Sequence, residues 1–319
     1  MPPARWLRPC VDESLPPNAN RVPIAVVVGT RNRAEGARRA VASVLSSRNP
    51  LLQLRVVDQG ETGETAAALE PFAADPRMVH LCSSEIGIAV ARNLGVAAST
   101  ASIIAFTDDD CEVDVNWLGA MADPFARDAR IGVVLGSVLP APYDREAGFT
   151  PAYCVPRRLV AKSLLSKWRI EGMGACMAVR RPTWEALGGF DELLGTGRPL
   201  RAGEDSDFIM RALIRGFRVS ETPEARVIHS GFRTWEEGRP LVEGYMYGLG
   251  VANAKMLRLG GPRALVPVLA LAWRWLAGRP ALDLNHRPPR LARLRSFLRG
   301  AFVGLRLPLD RGRGLFVSR

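Results

Sequence analysis

Residues 102–110 have the sequence SIIAFTDDD, in which a short apolar run leads directly into three aspartates. The β-branched and aromatic residues before the aspartates predict a buried strand. Adjacent carboxylates repel one another unless a cation or hydrogen bonds offset their charge, and hard oxygen ligands suit Mg²⁺ or Mn²⁺. Such an ion can also hold a diphosphate. We therefore predict a metal site after this strand; the alternative is an exposed acidic turn or a helix N-cap.

Strands and helices alternate in the segment before these aspartates. Apolar runs at 24–28, 54–57 and 78–81 predict strands, and the segments between them have apolar residues at helical spacing. This β-α-β-α-β-α-β order predicts an α/β fold with a mostly parallel sheet covered by helices. Ligands bind at the carboxyl ends of the strands in such sheets. The three aspartates belong to that end of the sheet.

The pattern beyond the aspartates is less regular. We predict a helix at 117–125, a strand at 131–138, irregular chain at 140–172 and a strand at 174–179. The glycine-rich run at 195–203 predicts a loop of the kind that carries binding residues.

Glu204 and Asp205 follow this loop and open a helix that ends near Gly216. A carboxylate at this position can take a proton from a hydroxyl that attacks a bound substrate. The alternative is structural, with Asp205 capping the helix and Glu204 in solvent. The two interpretations of Asp205 are compatible.

Length and composition favour a globular protein in a reduced, cytosolic compartment. The 319 residues, of which 47% are hydrophobic, suffice for one large α/β unit with an appendage. The five cysteines are scattered and form no CxxC pair, which favours a reduced, cytosolic compartment. Residues 1–22 contain several prolines and no continuous apolar run, so we expect an irregular arm rather than a secretory signal.

The basic charge is concentrated in the tail, which we define as residues 255–319. The tail has a net charge of +12, whereas the preceding residues sum to −1. No zinc-finger or RNP-type motif accompanies it, so no nucleic-acid partner is expected. The apolar stretch at 264–277 is shorter than the ~20 residues that span a bilayer, and residues 290–302 interleave arginines with apolar side chains. This pattern favours an anionic membrane surface as partner, with ordinary packing on the body as the alternative.

Six segments, in this order, resemble motifs of the family 2 glycosyltransferases. They are IAVVVGTRNR (24–33), VVD (56–58), GIAVARNLG (87–95), FTDDDC (106–111), GGFDE (188–192) and GEDSD (203–207). The resemblance covers residues 23–233 and implies the GT-A fold, a Rossmann-like α/β architecture. It divides the chain into an N-terminal arm (1–22), a glycosyltransferase domain (23–240) and a basic helical extension (241–319). Within the domain, residues 23–110 would bind the nucleotide and residues 111–240 the acceptor.

The resemblance also implies roles for individual residues. Asp205 would be the general base, with Gly189 and Glu204 near the acceptor. Asp110, together with Asp108 and His229, would hold a divalent cation, Mg²⁺ or Mn²⁺. The nucleotide sugar would contact a larger set: Thr30, Asn32, Arg33, Asp58, Gly87, Arg92, Asn93, Asp108 and Asp109.

The implied reaction moves a sugar from a nucleotide-diphosphate sugar, for which UDP is the favoured nucleotide, to an acceptor hydroxyl with inversion. A saccharide or lipid-linked acceptor is expected, in the synthesis of a polysaccharide, glycolipid or other glycoconjugate. The expected location is cytoplasmic, at the inner face of the plasma membrane. A catalytically inactive GT-A scaffold that binds sugar nucleotides or partner proteins is the alternative.

Two other enzyme classes fit the sequence poorly. A nucleotidyltransferase or a dehydrogenase needs a glycine-rich phosphate loop after the first strand, whereas residues 29–33 contain a single glycine. The chain also departs from the family pattern at two positions. Gln59 stands where the family often has a second aspartate, and Arg31 stands where it often has tyrosine. These departures leave the nucleotide open.

Overall fold

The computed structural model describes residues 22–47, 49, 51–276 and 288–317. The predicted N-terminal arm, apart from Val22, and the end of the apolar stretch at Ala277 lie outside these residues. The first half of the fold contains β1 (Ile24–Thr30), α1 (Ala34–Leu45), β2 (Leu52–Asp58), α2 (Glu64–Leu69), β3 (Met78–Cys82), α3 (Ile88–Ala97), β4 (Ile103–Asp108), β5 (Cys111–Val113), α4 (Trp117–Arg127) and β6 (Ile131–Pro140).

The second half begins with short strands and ends in helices. It contains β7 (Gly148–Phe149), β8 (Leu159–Ala161), β9 (Met177–Arg180), α5 (Arg181–Leu187), α6 (Glu204–Ile214), β10 (Arg218–His229), β11 (Arg233–Thr234), α7 (Trp235–Gly260), α8 (Leu265–Leu276), α9 (Arg290–Arg306), β12 (Leu309–Asp310) and β13 (Leu315–Phe316).

One large sheet has the strand order β3-β2-β1-β4-β9-β6-β10-β5. The strands from β3 to β4 are parallel, and so are β6 and β10. Strand β9 lies between β4 and β6 and is antiparallel to both. The α/β class is therefore confirmed, and the complete sheet is mixed. Apolar clusters cover both of its faces, around Phe106 and Phe208 on one side and Trp117 and Leu54 on the other.

The strand predicted at 174–179 is wrong in its first half. Gly174–Cys176 forms a 3₁₀ turn, and β9 begins at Met177. At this turn the Arg92 guanidinium approaches the backbone closely, since a Cβ on Gly174 would lie 2.6 Å from Nη1 of Arg92. A regular strand does not provide this bend.

The helical C-terminal region is confirmed and packs on the domain. Helix α7 has 26 residues and runs through position 240, so the proposed division at 240/241 stays a prediction. A capping box of Thr234 and Glu237 begins the helix. None of the helices within the described ranges is both long and apolar enough to cross a membrane.

A buried ion cluster fastens α7 to the domain. Lys255 on α7 pairs with Asp191 and, at 2.8 Å, with Asp207; Arg211 pairs with Asp207 at 2.8 Å. All four side chains are at most 2% exposed. Removing one member of such a cluster leaves an uncompensated buried charge. Lys255, the first basic residue of the tail, thus acts in the interior rather than at the surface.

Helices α7 and α9 pack at very short range through glycines. A Cβ on Gly300 would overlap the carbonyl oxygen of Tyr247, and a Cβ on Gly250 would overlap that of Phe297. Glycine is normally unfavourable inside a helix, so close backbone packing is the reason for its presence here.

We expect Gly300→Ala to reduce the free energy of unfolding by about 1–3 kcal/mol, because the added methyl group forces the two helices apart. Gly244→Ala is the matched control, since its nearest neighbour would be 3.9 Å away. The control should be neutral or stabilising by up to ~1 kcal/mol. Denaturant unfolding measures both values. Equal stability of the two variants would show that the helices do not pack as described.

Candidate active site

Several predicted site residues lie where the parallel strands end. Thr30 on β1 is in register with Asp58 on β2, and Gly29 is in register with Asp108 on β4. A cleft of about 530 Å³ opens at this edge. Its lining includes these predicted site residues: Thr30, Arg33, Gly87, Arg92, Asp108, Asp109, Asp110, Glu204, Asp205 and His229.

Asp109 is the buried residue of the acidic segment, Asp108 to Asp110. Its carboxylate accepts hydrogen bonds from the Thr30 hydroxyl at 2.9 Å and from Nη1 of Arg33 at 3.0 Å. Burial raises its pKa to about 6, although the charge of Arg33 acts in the opposite direction. The alternative of an exposed acidic turn is therefore wrong, and so is that of a helix cap, because Asn116 is the N-cap of α4.

Asp110 and His229 face each other across the pairing of β5 with β10. Nε2 of His229 lies 3.2 Å from the Asp110 carboxylate, and Nδ1 lies 2.7 Å from the carbonyl oxygen of Pro151. Because a carbonyl only accepts, Nδ1 carries a proton and Nε2 faces Asp110. Burial favours the neutral imidazole, but the hydrogen bond and charge of Asp110 outweigh it and raise the pKa of His229. Burial likewise opposes ionisation of Asp110, yet His229 and Arg33 together lower its pKa.

These two residues fit a divalent cation. Ligand atoms of Asp110, Cys111 and His229 all lie within 4.8 Å of one another. A Cβ on Gly231 would overlap Nε2 of His229 and lie 2.8 Å from Asp110 Oδ2, so glycine keeps this space open. Burial raises the pKa of the Cys111 thiol well above its usual value, and a protonated thiol is a poor ligand. The Asp110 carboxylate and the His229 imidazole thus remain as candidate ligands. Because the proton is on Nδ1, Nε2 is available for a metal.

Asp108 does not belong to this cluster of ligand atoms. Its carboxylate accepts a hydrogen bond from Nη2 of Arg92 at 2.9 Å, and Nη1 of the same guanidinium lies 3.1 Å from Glu204. Arg92 is 2% exposed and lies 5.4 Å from the ring centre of Phe190. A single buried cation therefore ties the acidic segment after β4 to the start of α6.

Glu204 is not in solvent, which makes that alternative wrong. Its side chain is 12% exposed and is paired with Arg92. Burial and the adjacent charge of Asp205 raise the pKa of Glu204, and Arg92 opposes this shift.

Asp205 does not cap α6 either. The N-cap is Gly203, with φ +91°, and no side chain caps the helix. The Asp205 carboxylate instead accepts hydrogen bonds from the backbone N–H groups of Gly174 at 3.1 Å and Ser206 at 2.6 Å. The bend at Gly174 thus orients a carboxylate that lines the cleft.

Four predicted residues are not part of the cleft lining. The Asn93 side chain binds the backbone N–H and carbonyl of Phe190, at 2.9 and 3.1 Å, and thereby supports the loop that contains Gly189. Asp58 accepts a hydrogen bond from the Gly60 N–H at 2.8 Å. Asn32 has φ +55° at the turn after β1. Ligand contacts of Asn32, Asp58, Asn93 and Gly189 stay predictions.

Gln59 and Tyr245 are among the lining residues to which the sequence interpretation gave no role. The Gln59 side-chain amide makes two hydrogen bonds to the backbone of Gly87. Its Nε2 donates to the Gly87 carbonyl, and its Oε1 accepts from the Gly87 N–H, each at 3.2 Å. Its position directly after Asp58 was a signal, because it replaces a common family aspartate. Tyr245 lies on α7, and only the four-residue spacing with Leu241 and Leu249 could have indicated it.

Comparison with known proteins agrees with this geometry. Residues 25–181 match the model of Glycosyl transferase family 2. The chain is 28% identical over 225 residues to a pre-mycofactocin glycosyltransferase of Mycobacterium tuberculosis, and 26% identical over 223 residues to the O-antigen biosynthesis protein RfbC of Myxococcus xanthus. Each alignment covers 65% of this chain, which spans 42% and 17% of the two relatives.

Solved structures share the fold at low identity. The mannosyltransferase PcManGT of Pyrobaculum calidifontis, in complex with GDP-Man and Mn²⁺, has a TM-score of 0.61 and 20% identity, covering 90% of this chain and 88% of its own. Residues 1–349 of TarS from S. aureus have a TM-score of 0.62 and 15% identity, covering 87% and 80%. The chain thus has the GT-A fold and, through residues 25–181, belongs to glycosyltransferase family 2.

Proposed function

We propose that this protein transfers a sugar from a nucleotide-diphosphate sugar to an acceptor hydroxyl, with inversion. The observation that carries the proposal is the convergence of two carboxylate pairs on one cleft. Asp108 and Asp110 lie at the end of β4, Glu204 and Asp205 at the start of α6, and Arg92 bridges them. Inversion in one displacement needs a base on one side of the sugar and charge stabilisation at the leaving group on the other.

Asp110 and His229 would hold the divalent cation, which when bound neutralises charge on the diphosphate. Arg33, whose side chain is 45% exposed, lies beside Asp110 at 2.7 Å and adds positive charge to the same region. Asp205 would accept the proton of the attacking hydroxyl. The N–H groups of Gly174 and Ser206 fix its carboxylate for that step.

The nucleotide would lie at the carboxyl end of β1 and beside the turn before α3, where Gln59 holds Gly87 at the edge of the cleft. A UDP-sugar remains our favoured donor, while PcManGT, a protein of the same fold, binds GDP-Man with Mn²⁺. Calorimetry of the full chain with UDP, GDP and other nucleoside diphosphates, each with and without Mn²⁺, tests the proposal. Mn²⁺-dependent binding of one nucleotide supports it, and no binding of any would refute it.

Measuring turnover distinguishes an active transferase from the alternative of an inactive scaffold. An active transferase releases the nucleoside diphosphate from its matching sugar donor, at least slowly to water, whereas a scaffold binds the donor and leaves it intact. The carboxylates to which we assign roles in turnover, Asp110 and Asp205, both line the cleft. The presence of these carboxylates favours an active enzyme over an inactive scaffold.

An anionic membrane surface is the partner that the exposed face of α9 suits best. Four apolar side chains are more than half exposed on this helix: Leu291, Leu298, Phe302 and Leu305. Exposed arginines lie among them, and the helix sequence contains no acidic residue. Apolar side chains with basic neighbours are typical of helices that lie in a bilayer interface. A lipid-linked acceptor would then reach the enzyme from the membrane.

We expect the full chain to sediment with anionic liposomes at low salt and to be released at high salt, because the attraction is screened. The double variant Arg295→Glu/Arg299→Glu should bind at least about tenfold more weakly, since each basic residue contributes about 1 kcal/mol. Arg38→Glu/Arg39→Glu, on exposed positions of α1, is the matched control. Equal binding of the two double variants would exclude α9 as the membrane contact. Point variants are a better test than deletion of the tail, because the deletion would remove Lys255 from its buried cluster.

A further inference from the structure

Helix α7 forms one wall of the cleft with a stripe of four residues. Leu241, Tyr245, Leu249 and Asn253 recur at every fourth position, so they share one face of the helix. Leu271 of α8 also lines the cleft. We refer to these five residues as the α7 wall.

The α7 wall is mainly apolar. Leu241, Leu249 and Leu271 present branched aliphatic side chains, and Met210 of α6 adds another apolar group to the lining. A free saccharide is bound chiefly through hydrogen bonds, for which aliphatic side chains offer no partner. An apolar wall with a few placed polar groups is typical of sites for ligands with an apolar body. The composition therefore points to an acceptor that is more than a sugar.

Asn253 is the first polar exception in the α7 wall. It is 3% exposed, and its Nδ2 donates to the carbonyl oxygen of Leu249 at 2.7 Å. Its Oδ1 is buried and has no hydrogen-bond partner among the described residues. A buried acceptor without a partner costs free energy, so a native structure that keeps one calls for an explanation. A hydroxyl of a bound ligand is such a partner.

Tyr245 is the second exception and lies close to the carboxylates. Burial, with the nearby charge of Glu204, raises the pKa of its phenol to about 12. The phenol therefore stays protonated and can donate a hydrogen bond. One wall thus offers a donor and an acceptor in the cleft that also contains the proposed base, together with aliphatic side chains.

We propose that the α7 wall binds an amphiphilic acceptor, in which an alkyl or prenyl chain is attached to the head group that carries the attacking hydroxyl. Leu241, Leu249 and Leu271 contact the chain. Tyr245 and Asn253 are positioning residues that hold the head group beside Asp205. The proposal rests on the proposed glycosyl transfer and specifies the class of its acceptor.

Calorimetry of the full chain with octyl β-D-glucopyranoside, below its micelle concentration, and with methyl β-D-glucopyranoside tests the apolar contact. We expect the octyl compound to bind with 1:1 stoichiometry and at least about tenfold more tightly, because several methylene groups leave water. Leu249→Gln should remove this difference. Leu94→Gln, at an exposed position of α3, is the matched control and should keep it. Equal affinities for the two glucosides, or equal losses in the two variants, would overturn the proposal.

Tyr245→Phe tests the positioning role without changing the shape of the wall. We expect affinity for the octyl compound to fall about 2–10-fold, which is the usual scale of one hydrogen bond, and affinity for the nucleoside diphosphate with Mn²⁺ to stay unchanged. A change in both affinities, or in neither, would contradict the role of Tyr245. The nucleotide measurement also separates the two proposals. If no nucleotide binds the wild type, the proposed transferase activity is refuted. The comparison of the two glucosides still tests whether the α7 wall binds an alkyl chain.

Discussion

Asp110→Asn is expected to abolish the Mn²⁺-dependent part of nucleoside diphosphate binding. Asparagine has the same shape but lacks the negative charge, and its neutral amide is a weak ligand for a hard cation. His229 would then remain alone at the site, because the Cys111 thiol stays protonated and Asp108 is engaged by Arg92. The loss should exceed the roughly 10–100-fold that removal of an outer-shell partner causes.

Calorimetry with the nucleotide that binds the wild type, with and without Mn²⁺, measures this effect. Asp114→Asn provides the matched control, since it makes the same change four residues further on at an exposed position. Binding without metal should be similar in the wild type and both variants. If Asp110→Asn keeps its Mn²⁺-dependent affinity, the cation is held elsewhere or is not used.

The half of the fold that precedes the aspartates could be predicted because its signals are local. Each buried parallel strand gives a continuous apolar run, and the helices between strands show regular apolar spacing. The predicted runs at 24–28, 54–57 and 78–81 lie inside β1, β2 and β3. The carboxyl ends of these strands then determine where the acidic segment must lie.

The other half depends on contacts between distant residues. The turn at Gly174 packs against the buried guanidinium of Arg92, which comes more than 80 positions earlier in the chain. The charge and apolar pattern of the tail predict a surface role, yet Lys255 is buried in an ion cluster with Asp191 and Asp207. Neither interaction has a local sequence signal.

The candidate site could likewise be predicted only in part from the sequence. Ten of the predicted site residues line the cleft, including Asp110 and Asp205. The motifs did not indicate that Asp108 would pair with Arg92 while Asp110 faces His229, because neighbouring aspartates look alike in sequence. The α7 wall was missed because it comes from a helix beyond the family motifs.

Asp205→Asn is expected to leave donor binding nearly intact and to reduce sugar transfer by roughly 10² or more, the usual scale for loss of a general base. The amide cannot take the proton of the attacking hydroxyl. The Gly174 N–H donates to Oδ2 and the Ser206 N–H to Oδ1, so the single amide oxygen keeps one of these two hydrogen bonds, and thermal stability is measured as well. Calorimetry with the donor nucleotide and a transfer assay give the two values.

Glu204→Gln is the discriminating companion, because it makes the same chemical change at the neighbouring carboxylate. Glu204 shares Arg92 with Asp108, so neutralising it alters the charge beside the donor and should change donor affinity as well as turnover. Selective loss of transfer in Asp205→Asn, with thermal stability retained, assigns the base to Asp205. The reverse result, with selective loss only in Glu204→Gln, would assign it to Glu204. A parallel fall of binding, transfer and stability in Asp205→Asn would make that residue structural.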